Sequence, residues 1–371
     1  MLIRNVSLGL TLLLGMAPAL TAAVPAPAKL HRDRALGCLL GLAVGDAMGT
    51  THEFQPLQAP AFPRLATGPL TAVQGGGPFR CSPGEVTDDT QMAITLARVL
   101  QEKKGPDPVL LGRRYGAWAR RAFDIGTVTR GALARIEAGV PATEAGVAQW
   151  VASGYQASGN GSLMRTAPIG VWFARDPQAR REASLGDSAI THADPRCQLA
   201  CAAFNAAVAR AVLAQGDPGL AQAMVQAAEG ELPEAARRLT QRMPQQGERI
   251  RQALEDLRQD LACAGKDDPQ LYGTGPDALH LHQQMGFVRV AFRLGFWELL
   301  HAPGYQAALV DVVNRGGDAD TNGAITGALL GACHGLQAIP APWLKTVEKA
   351  HNRLGAAYHP AYFRAWVRQL P

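Results

Sequence analysis

The sequence has 371 residues, 36 Lys and Arg against 31 Asp and Glu, 47% apolar residues and 18% charged ones, which excludes a disordered chain or a coiled coil as a global description. Its 40 glycines and 25 prolines follow no G-X-Y period, so a collagen-like rod is excluded as well. A net charge of +5 carried by scattered basic residues reads as a solvated surface, and no nucleic-acid partner is expected.

The first segment carries Arg4, an apolar run over residues 6–16 and small residues at Thr21 and Ala23, the order of a secretory signal cleaved after Ala23. The run falls short of the roughly 20 residues a bilayer span needs. The mature protein is therefore expected to be exported, periplasmic or secreted, with no membrane span. Residues 24–30 read as a short extended tether, and residues 31–371 show no shift in composition and read as one domain, expected as a monomer.

Gly37, Gly41, Gly45 and Gly49 then recur every four residues. On a helix this leaves a smooth face for another backbone, and the lost helix propensity, about 1 kcal/mol per glycine, requires tight packing in return. Asp46 lies in this run and is expected to orient the helix end. Glu53 follows, and Thr87, Asp88 and Asp89 come just before an amphipathic helix over 91–104. Ala, Leu, Gln, Arg and Glu dominate 92–104, 108–123, 197–215, 219–229, 233–262 and 278–301. Alternating β-branched runs are scarce, so the expected class is all-α, a single compact many-helix domain. Asp107-Pro108, Asp194-Pro195 and Asp217-Pro218 each place a capping carboxylate ahead of a proline at a helix start, and Lys103-Lys104-Gly105 reads as a helix end. Cys197 and Cys201 lie on an Ala-rich helical run and Cys38 and Cys333 in Gly- and Leu-rich ones, which favours buried reduced thiols over disulfides, and the absence of a C-x-x-C pair disfavours zinc.

The last motif, Asp318-Ala-Asp320-Thr321-Asn-Gly323, opens a second glycine repeat at Gly323, Gly327, Gly331 and Gly335. It begins like a calcium loop, but position 12, which needs a bidentate Glu, is Leu329. Thr321 directly follows Asp320, which also fails the D-x-D-x-T spacing of aspartyl phosphatases. Two acidic helix starts suggest one site. If they meet, Asp88, Asp89, Asp318 and Asp320 repel unless protonated or neutralised by cations. Two divalent ions balance four such charges, and an all-oxygen set with Thr favours Mg²⁺ or Mn²⁺ over zinc.

Five blocks carry a family resemblance: 37–49 with Glu53-Phe54, 84–90, Gly159-Asn-Gly-Ser-Leu-Met-Arg165, Thr191-His192, and 317–325. In this order they resemble the ADP-ribosylglycohydrolase family, of the dinitrogenase-reductase-activating type, over nearly all of 34–335. The resemblance implies an all-helical fold around a two-metal centre. Residue by residue it implies that Thr87, Asp88 and Asp89 form one metal-ligand triplet and Asp318, Asp320 and Thr321 the other. Glu53 matches the acidic loop residue beside the scissile bond, implicated in catalysis. Asp124 resembles a further acidic position of the bacterial glycohydrolases. Ser158, Gly159, Asn160, Gly161 and Ser162 resemble the loop that receives the pyrophosphate, where glycines suit backbone amides turned toward an anion, and His192 matches a residue touching the nucleotide sugar. No adenine-stacking residue is assigned, and 263–277 reads as a variable insertion.

The implied chemistry is hydrolysis of the bond between the anomeric carbon of ADP-ribose and an acceptor, either a modified protein side chain or a small ADP-ribosyl conjugate. The metals would hold ribose hydroxyls and water while Glu53 assists proton transfer. Two other readings stay open: a non-catalytic ADP-ribose-binding protein, and a hydrolase of another ribosyl or nucleotide-like molecule.

Overall fold

The computed structural model describes residues 30–57, 70–275 and 278–370; the signal segment, and the tether up to residue 29, lie outside the described residues. Fifteen helices follow one another among the described residues: α1 (Arg32–Gly49), α2 (Asp88–Lys103), α3 (Pro108–Ala119), α4 (Thr127–Glu137), α5 (Ala142–Ala152), α6 (Ala167–Trp172), α7 (Pro177–Thr191), α8 (Pro195–Val212), α9 (Leu220–Arg242), α10 (Gly247–Ala264), α11 (Val288–His301), α12 (Tyr305–Asn314), α13 (Ala319–His334), α14 (Ala341–Lys349) and α15 (Tyr362–Arg368). Extended pairing among these residues is limited to isolated bridges such as Gly159 with Phe287, and the fold is all-α. No helix among the described residues is long and apolar enough to cross a membrane.

The two glycine-spaced segments form the central pair, α1 and α13. A Cβ added at Gly37, Gly41 or Gly45 would run into the carbonyls of Gly331, Gly327 and Gly323, and each of these three partners would meet the α1 glycine in the same way. The descending register makes the helices antiparallel. Both are buried on nearly every face, so backbone-to-backbone contact replaces the side-chain interlock of an ordinary helix pair. The Tyr305 hydroxyl fills the seam, donating to Gly41 O at 2.9 Å. The C-terminal end of α1 therefore lies beside the N-terminal end of α13.

Local details depart from the sequence reading. Helix α9 runs straight through Pro233, and the break expected near 230 falls at Met243 and the short 3₁₀ turn Pro244–Gln246. Leu220, Met224, Ala228, Leu232, Ala235 and Leu239 keep one buried stripe across the proline, and that burial outweighs the hydrogen bond the proline removes. Residues 278–287 are not helical; α11 starts at Val288 after the bridges Tyr272 to His280 and Gly159 to Phe287. Asp107 and Asp194 cap α3 and α8, accepting from Leu110 N and Arg196 N at 2.9 Å. Asp217 does not cap α9, whose N-cap is Gly219 at φ 71°, and it pairs with Arg210 at 2.6 Å instead. Helix α2 ends with Lys104 in the left-handed region at φ 56°, one residue before the expected glycine. All six cysteines are buried and unpaired.

Candidate active site

The site lies where the end of α1 and the starts of α2 and α13 converge. Asp46, in the last turn of α1, accepts from Thr87 N at 3.0 Å, Thr87 Oγ1 at 2.9 Å, Thr90 N at 3.2 Å and Thr90 Oγ1 at 2.5 Å. It thus satisfies amide groups that Thr87, the N-cap of α2, leaves open. Asp88 and Asp89 fill the first turn of α2 and Asp320 that of α13, where the positive ends of two helix dipoles favour negative charge.

The Glu53 loop is fastened to the loop ahead of α13. Phe54 N–H donates to Gly317 O at 2.6 Å and Gly317 N–H to Gln55 O at 2.8 Å. Gly316 permits this approach, with φ 67° and no room for a Cβ against Gln55 O. The carboxylate of Glu53 accepts from Asp320 N at 3.1 Å.

Carboxylate oxygens therefore gather in two groups, each within 4.8 Å: Asp46, Asp89 and Asp320, and Glu53, Asp318 and Asp320. Asp320 belongs to both. Asp89 Oδ1 is buried with no hydrogen-bond partner. Burial first, then mutual repulsion, raises the acids: Asp88 to about 7, Asp124 to about 10, and Asp89 and Asp320 well above the carboxylate range. Burial and the Asp318 charge raise Glu53 likewise. Asp46 reaches only about 6, because its four hydrogen bonds oppose the desolvation. Such a set stays ionised only if cations share the space, and an all-oxygen donor set suits hard divalent ions.

A cleft of ≈ 470 Å³ opens from this centre, and Glu53, Asp88, Asp124, Asp318, Asp320 and Thr321 are among the residues that line it. Thr87 does not line the cleft; its hydroxyl donates to Asp46 and approaches Asp89 Oδ2 at 3.1 Å and Asp320 Oδ2 at 3.4 Å. On the far wall stand Gly159, Asn160, Gly161 and His192. The Asn160 side chain donates to Asp318 Oδ2 at 2.8 Å, a link between loop and acidic centre that spans 158 residues.

The family model for ADP-ribosylglycohydrolase matches residues 27–370. The chain belongs to the ADP-ribosylglycohydrolase family. It is 29% identical to the ADP-ribosyl-[dinitrogen reductase] glycohydrolase of Rhodospirillum rubrum over 86% of this chain and 92% of the relative. It is 27% identical to the ADP-ribosylarginine hydrolase Tri1 of Serratia proteamaculans over 84% and 74% of the two chains. A solved structure titled ADP-ribosylglycohydrolase-related protein complex superposes with a TM-score of 0.65 at 29% identity, over 92% of this chain and 99% of that one.

In this glycohydrolase the loop 158–162 divides. Ser162 is fully buried behind the cleft wall, bonded through Oγ to Ser188 at 2.9 Å. Ser158 faces a neighbouring cleft of ≈ 1020 Å³ and accepts from Val288 N at 3.1 Å. The Asn160 amide is already committed to Gly286 O at 2.9 Å, so the expected row of free amides is interrupted. Neither Gly159 nor Gly161 is among the positive-φ glycines. Gly161 is small because a Cβ there would lie 2.9 Å from His192 Cε1 and 3.0 Å from Thr129 Oγ1. Arg165 holds the loop from behind, reaching Gly161 O at 3.0 Å, Thr191 Oγ1 at 2.9 Å and Asp187 Oδ2 at 3.0 Å. Burial and this guanidinium push His192 down to about 3, so its imidazole is neutral. Sequence reasoning missed the bond from Asn160 to Asp318 and the aromatic rim of Phe54, Phe79 and Phe123, both made between distant loops.

Proposed function

We propose that this chain is a metal-dependent hydrolase of the glycosidic bond between ADP-ribose and an acceptor, an ADP-ribosylated protein or small ADP-ribosyl conjugate. The observation that carries it is the pair of three-carboxylate groups sharing Asp320, inside a family defined by this chemistry. Asp89 and Asp320, with Thr87 and Asp88, would hold one Mg²⁺ or Mn²⁺, and Asp318 and Asp320, with Thr321, a second; Asp46, whose carboxylate accepts from Thr87 and Thr90, would orient the start of α2 beside the first, and Glu53 would stand beside the second. The unpartnered Asp89 Oδ1 and the raised acids fit such ions. Bound there, the ions would neutralise the acids and polarise ribose hydroxyls and water.

Glu53 is placed for the proton. Water attacks the anomeric carbon, its proton passes to the Glu53 carboxylate, and the bond to the acceptor breaks with a proton returned to the leaving group. The Asp320 amide keeps that carboxylate aimed into the cleft. Neutral His192, Gly159 and Gly161 would form the wall that meets the nucleotide, and Arg130 lines the same cleft. The exported location follows from residues 1–23 alone and belongs to this proposal. The test is product analysis after incubation with ADP-ribosyl-arginine, ADP-ribosyl-serine peptide and ADP-ribose, with Mg²⁺, Mn²⁺ or a chelator. Release of ADP-ribose that stops on chelation supports the reading, and metal-dependent tight binding without turnover replaces it by an ADP-ribose-binding protein.

A further inference from the structure

We propose that the open face of Phe54 is the acceptor subsite and that it takes the guanidinium of an ADP-ribosylated arginine; this rests on the hydrolase reading above. Three phenylalanines run along the cleft rim. Phe54 meets Phe79 edge to face with ring centres 6.1 Å apart, and Phe79 meets Phe123 in the same way at 6.0 Å. All three line the cleft that holds the acidic centre. Phe54 directly follows Glu53 and Phe123 directly precedes Asp124, so the row extends from one acid to the other.

The two ends of the row differ. At Phe123 a guanidinium of the chain itself sits over the ring, Arg353 at 3.9 Å from its centre, held by Glu85 at 2.7 and 2.9 Å. This end is filled. At the other end Phe54 remains 52% exposed. Its backbone is nevertheless fixed at φ 60°, and Arg80, next to Phe79, at φ 52°, a region that non-glycine residues seldom occupy. The bond from Phe54 N–H to Gly317 O locks that conformation. A large apolar residue held half exposed on a constrained backbone, one residue from the catalytic carboxylate, gains little from packing. An aromatic face attracts a cation, and a planar guanidinium stacks on it better than an ammonium does. A neutral serine hydroxyl offers the ring no such cation.

The experiment compares wild type with Phe54→Leu and Phe54→Tyr on two substrates, ADP-ribosyl-arginine and an ADP-ribosyl-serine peptide. Free ADP-ribose serves as inhibitor and probe of nucleotide binding. Phe54→Leu, similar in bulk but without a π face, is expected to lower kcat/KM for the arginine conjugate by about 3- to 30-fold through KM, the scale of a partly desolvated cation–π contact. Phe54→Tyr should retain most of it. The serine conjugate should fall much less, and ADP-ribose should inhibit all three proteins at similar concentrations. Equal losses on both conjugates, or an unaffected Phe54→Leu, would overturn the assignment. A wild type that hydrolyses neither conjugate while binding ADP-ribose would instead overturn the hydrolase reading on which it rests.

Discussion

Glu53 and Asp320 are joined by one hydrogen bond, from the backbone of the second to the side chain of the first, yet they answer substitution differently. Glu53→Gln keeps an acceptor for that bond and should bind ions and nucleotide while losing about 10²–10⁴-fold in turnover, the scale of a positioned acid–base group; near-normal turnover removes Glu53 from the mechanism. Asp320 is common to both carboxylate groups. Asp320→Asn should therefore abolish binding of both ions in manganese calorimetry, whereas Asp89→Asn and Asp318→Asn each weaken one more than the other. The protonation state supplies a further check. Asp46, Asp88 and Asp124 are raised to about 6, 7 and 10 from roughly 4 in an unfolded chain. The folded, metal-free protein then holds more protons than the unfolded one above pH 4, so its stability falls as pH rises through that window. Melting temperature in chelator should drop between pH 5 and pH 8, and saturating Mn²⁺ should flatten the slope; a pH-independent chelated protein would contradict the shifts.

At the scale of elements, the α1–α13 seam leaves no space for a methyl group. Gly41→Ala and Gly45→Ala drive a Cβ into the carbonyls of Gly327 and Gly323. Each should cost on the order of 1–3 kcal/mol and also weaken metal binding, because the seam sets the distance between Glu53 and α13. Gly186 in α7 and Gly230 in α9 have nothing within 4 Å of an added Cβ. Alanine there should hold or raise the melting temperature, since it lowers the helix-propensity penalty by up to about 1 kcal/mol. The seam was legible in the sequence because the four-residue glycine repeat is a local signal with one economical explanation. Acids at the starts of α2 and α13 were legible for the same reason, a short motif tied to a helix terminus. The break at Met243 was not, since a proline at 233 looks like an end until tertiary burial shows the stripe continuing past it. Nor was the role of Gly161, whose constraint comes from His192, a ring that reaches it only through the fold.

Across the whole molecule, the helical class follows from composition, while the cleft does not, because its walls come from loops far apart in sequence. Phe54, Phe79 and Phe123 acquire meaning only when the Glu53 loop, the turn at Gly77 and the end of α3 are brought to one rim. The central seam carries a further consequence, for the order of folding. Tyr305 and Gly41 are hydrogen-bonded across 264 residues, and the same long span separates the two sides of the acidic centre. Closing so long a loop adds little to equilibrium cost, since the entropic penalty grows only with the logarithm of length, but contacts of this separation form slowly. Helix α1 emerges early in synthesis and must wait, its glycine face unpartnered, until α13 has been made. Affinity for divalent cations should accordingly be among the last properties to appear during refolding, after most far-ultraviolet helical signal has returned; stopped-flow refolding with a manganese-sensitive probe would resolve the two phases, and their coincidence would show that the seam closes with the rest of the core.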